Sequence, residues 1–586
     1  MADLLRAAAS RYPDRPAVIE AAGTRTWSDL DRAADAGAAR LRAIGAGPGE
    51  RVVIALPTGA DLALALFAVA RSGLIAVPTA PAADVGALAD RVDAIASIGA
   101  VRDHRLGIAV GVADLADWWS ADPKPFESIG GGEDLALLAR ARGDRAVMLS
   151  HRAIAAAVDA IGKLGAVRVS DGDRVLQVLP LYHLAGWVVS FLPNTLVGGA
   201  AVIPEVGFDV ATVAVGEPGG TGSAQGQTGR LATEAALRAA ADHTVTVVPG
   251  APGFYHQLMA VEDAERSLAA VRTFTSGTAP LNVTDFGAIR TRFGRPVWEG
   301  YGLSESASVV TTSLTTDAPV HGSVGRPLAG IELRVVGPDG QDLTAAAAPD
   351  EAPAADEPGR DPLDTVADAP DAGEVGRIVI RGATLFSGYW PNGGGGPDAD
   401  GWFVTGDIGF LDDAGELHLV DRAAEVITVS GFTVYPREIE DVLAGHPAVV
   451  DVAIIGVPAA DGHEELAAVL VADADRAVGE EELREFAGAR LPAFKRPAVY
   501  RVVPALPKTE VGRVDRDQVR GLFGPGVQQV LPTLVAVPDA EHADATEPAA
   551  DVTPEPAGDL AQLGTRLPAT GDRAERARDD TDEDLF

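Results

Sequence analysis

The chain has 586 residues, 47% of them hydrophobic and 23% charged, with a formal net charge of −36 and no cysteine. That length allows two or more domains with large cores, and the negative charge argues against a general nucleic-acid binder, which needs basic clusters to neutralise phosphates. The missing cysteines exclude disulfides, thiolate metal sites and a cysteine nucleophile.

The N-terminal stretch "MADLLRAAASRYPDRPAV" carries charges throughout and lacks a signal-peptide core. No apolar run reaches the roughly 18 residues of a membrane span, so a cytoplasmic protein without a membrane span is expected. Aromatic residues make up only 5%, so packing must lean on Ala, Val and Leu, which suits helices on buried strands. Val52–Leu56 reads as a β-branched strand, Asp61–Arg71 as an alanine-rich helix and Leu74–Val77 as another strand. This βαβ pattern predicts an α/β fold with a parallel sheet. It continues through "DRVLQVLPLYHLAG", "AVIPEV", "TVTVVPGAPGFYHQLM" and "VRTFTSGTAPL". In "DLALLARARGDRAVMLSHRAI" (Asp134–Ile154), the closing "VMLSHRAI" reads as the start of a helix behind a loop.

Three segments interrupt the pattern. Gly216–Arg230 is Gly-rich and expected as a surface loop. Ala345–Gly373 is Ala/Pro/Asp/Glu low complexity that cannot bury a core. The acidic tail, 523–586, is similar, and disorder is expected for all three. The pattern changes at "DDAGELHLV" (Asp412–Val420), which is hairpin-like, and beyond about Asp421 "YPREIEDVLAGHP" reads as an amphipathic helix and "VVDVAIIGVP" as a strand. The expected organisation is a large N-terminal domain of α/β subdomains over 1–420, with the disordered insert 345–373. A small mobile C-terminal α+β domain over 421–522 and the tail follow.

Four segments then occur in order: "EGYGLSESASV" (Glu299–Val309), "GWFVTGDIG" (Gly401–Gly409), "VDRAAEVITVSGFTVYPREIE" (Val420–Glu440) and "LPKTEVGRVDR" (Leu506–Arg516). In the first, Gly300 and Gly302 let backbone pass close to a ligand, Tyr301 offers a flat face, and Glu305 is an oxygen ligand suited to a hard cation. Taken alone this is also a glycine-rich turn with a core tyrosine. The series of motifs resembles the AMP-forming acyl-CoA synthetase, adenylation-domain and luciferase superfamily over roughly residues 4–520.

That resemblance implies the adenylate-forming enzyme fold. It also implies activation of a carboxylic acid with ATP and Mg2+ through an acyl-adenylate, followed by transfer to CoA. By motif position it implies Glu299, Gly300, Tyr301 and Gly302 at the nucleotide, with Gly277, Thr278 and Ala279 of "TSGTAP" beside adenine. Ser304 would bond a phosphate, Glu305 would associate with magnesium, Asp407 would hold the ribose hydroxyls, and Arg422 would contact ribose or phosphate. Turn carboxylate and surface ion pair are the plainer readings of the last two. His183 and Gly325 are expected to line the acyl pocket, and Trp187 to limit its depth. No general base is required of His183, because a carboxylic acid is already ionised at neutral pH.

Three positions depart from the superfamily's pattern. Where a hydroxyl- and glycine-rich phosphate loop is usual, this chain has "RARGDR", about four residues shorter. Only Gly143 remains as a hinge, with Arg145 near the usual lysine. Arg140, Arg142 and Arg145 either hold phosphates as arginine forks or are solvated loop charges. Arg513 replaces the adenylation lysine, and arginine is wider, planar and differently hydrated; Lys508, five residues earlier, would substitute only if the loop moved it inward. Ala424 stands at the hinge position. The leading expectation is a fatty or aromatic acid–CoA ligase. A catalytically impaired nucleotide or acyl binder, or an enzyme loading a carrier protein, are the alternatives.

Overall fold

The computed structural model describes residues 1–99, 108–140, 145–165, 170–206, 224–337, 340–344, 374–422, 425–429, 432–458, 464–473, 476, 478–508 and 513–523. The insert 345–373, Gly143, Ala424 and the tail beyond 523 lie outside them.

The expected βαβ pattern is present. Strands Arg51–Ala55, Ile75–Thr79 and Ala94–Gly99 pair in parallel, with helix Ala60–Arg71 between the first two. That helix is buried almost all round, which explains its run of alanines and leucines. Its last residue, Arg71, has no exposed surface because Asp31 and Asp35 accept from it at 2.5 and 2.7 Å; a buried guanidinium is tolerable only when paired. The six-stranded sheet closes with Leu135–Arg140 against Ala146–Ser150, an antiparallel hairpin in which Arg140 faces Ala146. Ser150 Oγ then accepts from the Ala153 amide at 3.2 Å and caps helix His151–Gly162.

A nine-stranded sheet has parallel strands Val247–Gly250, Thr273–Ser276 and Val297–Tyr301 side by side. Helix Ala224–Asp242 packs over it through Ala232, Ala236 and Ala240. This corrects the reading of Gly216–Arg230 as a loop: residues 224–230 are the first turns of that helix, continuous with its packed part from Ala232 onward. A four-stranded antiparallel sheet, Ile331–Val336, Gly376–Gly382, Trp402–Leu411 and Leu417–Arg422, carries the "TGD" motif.

The C-terminal part contains an antiparallel pair, Ile427–Val429 and Phe432–Val434, and a three-stranded sheet, Val449–Pro458, Glu464–Ala472 and Val499–Val502. Helix Pro436–Ala444 buries Ile439 and Leu443 in its core. Phe523, expected as the first residue of the tail, is 5% exposed and packs with Ile455, Val469 and Val519, so the apolar pattern of this part runs one residue further. Among the described residues no helix is long and apolar enough to cross a membrane.

Candidate active site

The three parallel strands end on one edge of their sheet, and the segments leaving them build the site, as is usual outside the carboxyl ends of parallel strands. Strand Val297–Tyr301 runs into a tight turn. Ser306 Oγ accepts from the Leu303 amide at 3.2 Å and donates to the Leu303 carbonyl at 3.1 Å, which fixes one 3-10 turn at Ser304–Ser306. A Cβ on Gly302 would lie 2.2 Å from the Ser308 carbonyl oxygen, so the turn closes this tightly only with glycine there.

Tyr301 Oη donates to Asp407 Oδ2 at 2.6 Å. Asp407 Oδ1 faces Arg422 Nε at 3.3 Å because the two residues are cross-strand partners. Burial, then the Asp407 carboxylate, hold the Tyr301 phenol well above its ordinary range, so it stays protonated and donates. Residues from three separate motifs thus meet in one chain of contacts.

Glu305 accepts from Tyr389 Oη at 2.6 Å, and the Arg145 guanidinium lies over the Tyr389 ring, 4.0 Å from its centroid. Ser304 Oγ donates to the Arg140 carbonyl at 3.3 Å. The two described ends of the stretch that replaces the phosphate loop, Arg140 and Arg145, therefore lie by the Ser304–Glu305 turn, the first by direct contact and the second through Tyr389. Arg142 and Gly143 lie outside the described residues.

The adenine-side turn is held from behind. Thr278 sits at φ 70°, a left-handed conformation rarely adopted by a β-branched residue. Its carbonyl accepts from Arg513 Nε. The Leu281 amide donates to Glu299 Oε1 at 3.1 Å, and the Leu281 carbonyl accepts from His321 Nε2 at 3.1 Å. Glu299 is only 5% exposed, and burial pushes its carboxyl up to about 7. The structure thus engages Glu299 with the backbone of this turn. Gly277 and Ala279 flank Thr278 in the same turn.

The remaining expectations separate. Gly325, at φ 72°, would place a Cβ 2.1 Å from the Thr312 carbonyl oxygen, so backbone packing alone demands glycine. His183 lies beside Tyr182, ring centroids 4.9 Å apart, just before a π-helical turn at Ala185–Phe191. Trp187 does not limit a pocket: it is 1% exposed, stacked on Phe191 and edge-on to Phe67 in the core. Lys508 pairs with Asp451 at 2.8 Å. Sequence reasoning missed Tyr389 and His321. The aromatic pair in "GYW" is the signal for Tyr389; nothing around His321 marks it.

A family profile described as AMP-binding enzyme matches residues 5–105 and 219–390, and one described as AMP-binding enzyme C-terminal domain matches 438–513. The chain belongs to the adenylate-forming acyl-CoA synthetase superfamily. This synthetase is 30% identical over 542 residues to a feruloyl-CoA synthase from Amycolatopsis sp, covering 87% of this chain and 96% of that one. It is 25% identical to a long-chain-fatty-acid–CoA ligase from Escherichia coli O157:H7, covering 89% and 94%. The crystal structure of ATP-bound MatB from Rhodopseudomonas palustris superposes with a TM-score of 0.74 at 25% identity, over 89% of this synthetase and 99% of MatB.

Proposed function

We propose that this synthetase is an AMP-forming carboxylic acid–CoA ligase acting on a fatty or aromatic acid. The observation that carries the reading is the contact chain Tyr301–Asp407–Arg422, which brings the superfamily's nucleotide motifs into one place. In the first half-reaction a carboxylate oxygen attacks the α-phosphorus of ATP and the bond to pyrophosphate breaks. In the second, the CoA sulfur attacks the acyl carbon, loses its proton, and AMP leaves.

Asp407 is the acceptor for the ribose hydroxyls, a role suited to a carboxylate with about four lone-pair sites. Ser304, Arg145 and Arg513 supply the polar and cationic groups for the phosphates, Tyr301 and the Gly277–Ala279 turn flank adenine, and Gly300 and Gly302 admit the nucleotide backbone. Among the described residues no three His, Cys, Asp or Glu side chains cluster as a metal cage. A magnesium ion that arrives on ATP needs only one or two carboxylates. Glu305, hydrogen-bonded by Tyr389 and beside Ser304, which contacts Arg140, fits that need; the ion would neutralise polyphosphate charge.

ATP–pyrophosphate exchange and acyl-CoA formation over a panel of fatty and aromatic acids test the reading. Substrate-dependent exchange with acyl-CoA formation is the expected result. Acylation of a carrier protein but not CoA would replace CoA as acceptor. Absence of both activities, with AMP still raising the melting temperature, would identify the impaired binder that the arginine loop and Arg513 allow.

A further inference from the structure

Tyr389 belongs to none of the motifs that identify the superfamily here, yet it joins two of the departing or reactive elements. Its backbone is paired with strand Ala146–Ser150: Tyr389 bridges Val147, the Met148 amide donates to the Gly388 carbonyl at 3.0 Å, and the Trp390 amide donates to the Ala146 carbonyl at 2.9 Å. Arg145 immediately precedes that strand. The tyrosine ring is thereby fixed under the Arg145 guanidinium at 4.0 Å, a distance at which the ring quadrupole attracts a cation. Its hydroxyl reaches Glu305 Oε1 at 2.6 Å. Glu305 is tied to the same segment a second time, its carbonyl accepting from the Phe386 amide at 2.9 Å.

We infer that Tyr389 is a positioning residue that orients the Glu305 carboxylate toward the cation carried by ATP and, through its ring, holds Arg145 at the edge of the phosphate site. The inference rests on the reading of Glu305 given above. It assigns a compensation to the hydroxyl-poor loop: one side chain sets both the carboxylate on the metal side and an arginine on the phosphate side. A phenol hydrogen-bonded to a ligating carboxylate fixes which oxygen is presented, and removal of such a partner commonly weakens metal binding.

The test is calorimetric titration of ATP into the full chain across a range of MgCl2 concentrations, with melting temperatures measured alongside. Tyr389→Phe keeps the ring and loses the hydroxyl. It is expected to raise the Mg2+ concentration for half-maximal enhancement of ATP binding about tenfold, with Mg2+-free ATP affinity unchanged. Tyr389→Leu also removes the face under Arg145. It should weaken Mg2+-free ATP binding as much as Arg145→Ala, and the double variant should be no weaker than either. A wild-type Mg2+ dependence in Tyr389→Phe, while Glu305→Gln abolishes it, overturns the role of Tyr389 and leaves the reading of Glu305 standing. A wild-type dependence in Glu305→Gln overturns that reading itself. Additive losses in the double variant overturn the link to Arg145, and a Tyr389→Leu chain that does not fold leaves the tyrosine-to-phenylalanine result decisive.

Discussion

At the scale of single residues, one departure from the superfamily's pattern, Arg513, and one buried carboxyl, Glu299, have measurable signatures. Arg513 reaches the site, but its Nε is engaged by the Thr278 carbonyl. A lysine there would present a compact, rotatable ammonium in place of a planar fork. Arg513→Lys is expected to raise ATP–pyrophosphate exchange about tenfold, the effect of roughly 1.4 kcal/mol on a barrier; an equal or lower rate would remove Arg513 from that role. Glu299 gives a pH signature. Its folded carboxyl titrates near 7 because of burial, above its unfolded value. The stability it lends is complete below the unfolded value, near pH 4.5, and lost as pH rises through 7. Glu299→Gln retains a carbonyl oxygen for the Leu281 amide and removes the ionisation. Its melting temperature should exceed the wild type's at pH 8, by about 1–3 kcal/mol of stability, and match it at pH 5. A difference independent of pH would show that the carboxyl does not ionise in this range. The sequence singles out Tyr301, Asp407 and Arg422, which the structure brings into contact, since each lies in a motif. It does not reveal that Glu299 serves the turn behind them, because a buried carboxylate and an exposed one look alike in a linear pattern.

At the scale of elements, the tight turn after Val297–Tyr301 depends on Gly302. Gly302→Ala forces a Cβ into Ser308 backbone, with 2.2 Å to its oxygen and 2.7 Å to the Val309 nitrogen. The expected cost is about 2–4 kcal/mol, with loss of ATP binding because Ser304 and Glu305 follow directly. Retained ATP affinity in a folded Gly302→Ala chain would separate the turn from the nucleotide site. Periodicity identifies the βαβ strands and helix Pro436–Ala444, whose apolar faces are unambiguous. It fails at 224–230, where glycines suggest a loop while the rest of the helix supplies the packing.

At the scale of the whole molecule, ATP and CoA are polyanions approaching a chain of net charge −36. Nearly half of that net charge lies in residues 345–373 and 524–586. Repulsion of this kind is screened by salt, with a Debye length of about 30 Å at 0.01 M and about 8 Å at 0.15 M. The KM for ATP should therefore fall as ionic strength rises over that range, and truncation after Phe523 should flatten the dependence. A KM that climbs with salt would mean that the local arginines, not the overall field, govern encounter. The contact between Arg513 and Thr278 has a consequence on this same scale. One hydrogen bond joins the last motif of the chain to the turn proposed to flank adenine, so occupancy of that turn and placement of the C-terminal part share a coupling free energy. Linkage makes such coupling reciprocal: whatever nucleotide binding does to the position of that part, its position does, in equal measure, to the affinity for nucleotide.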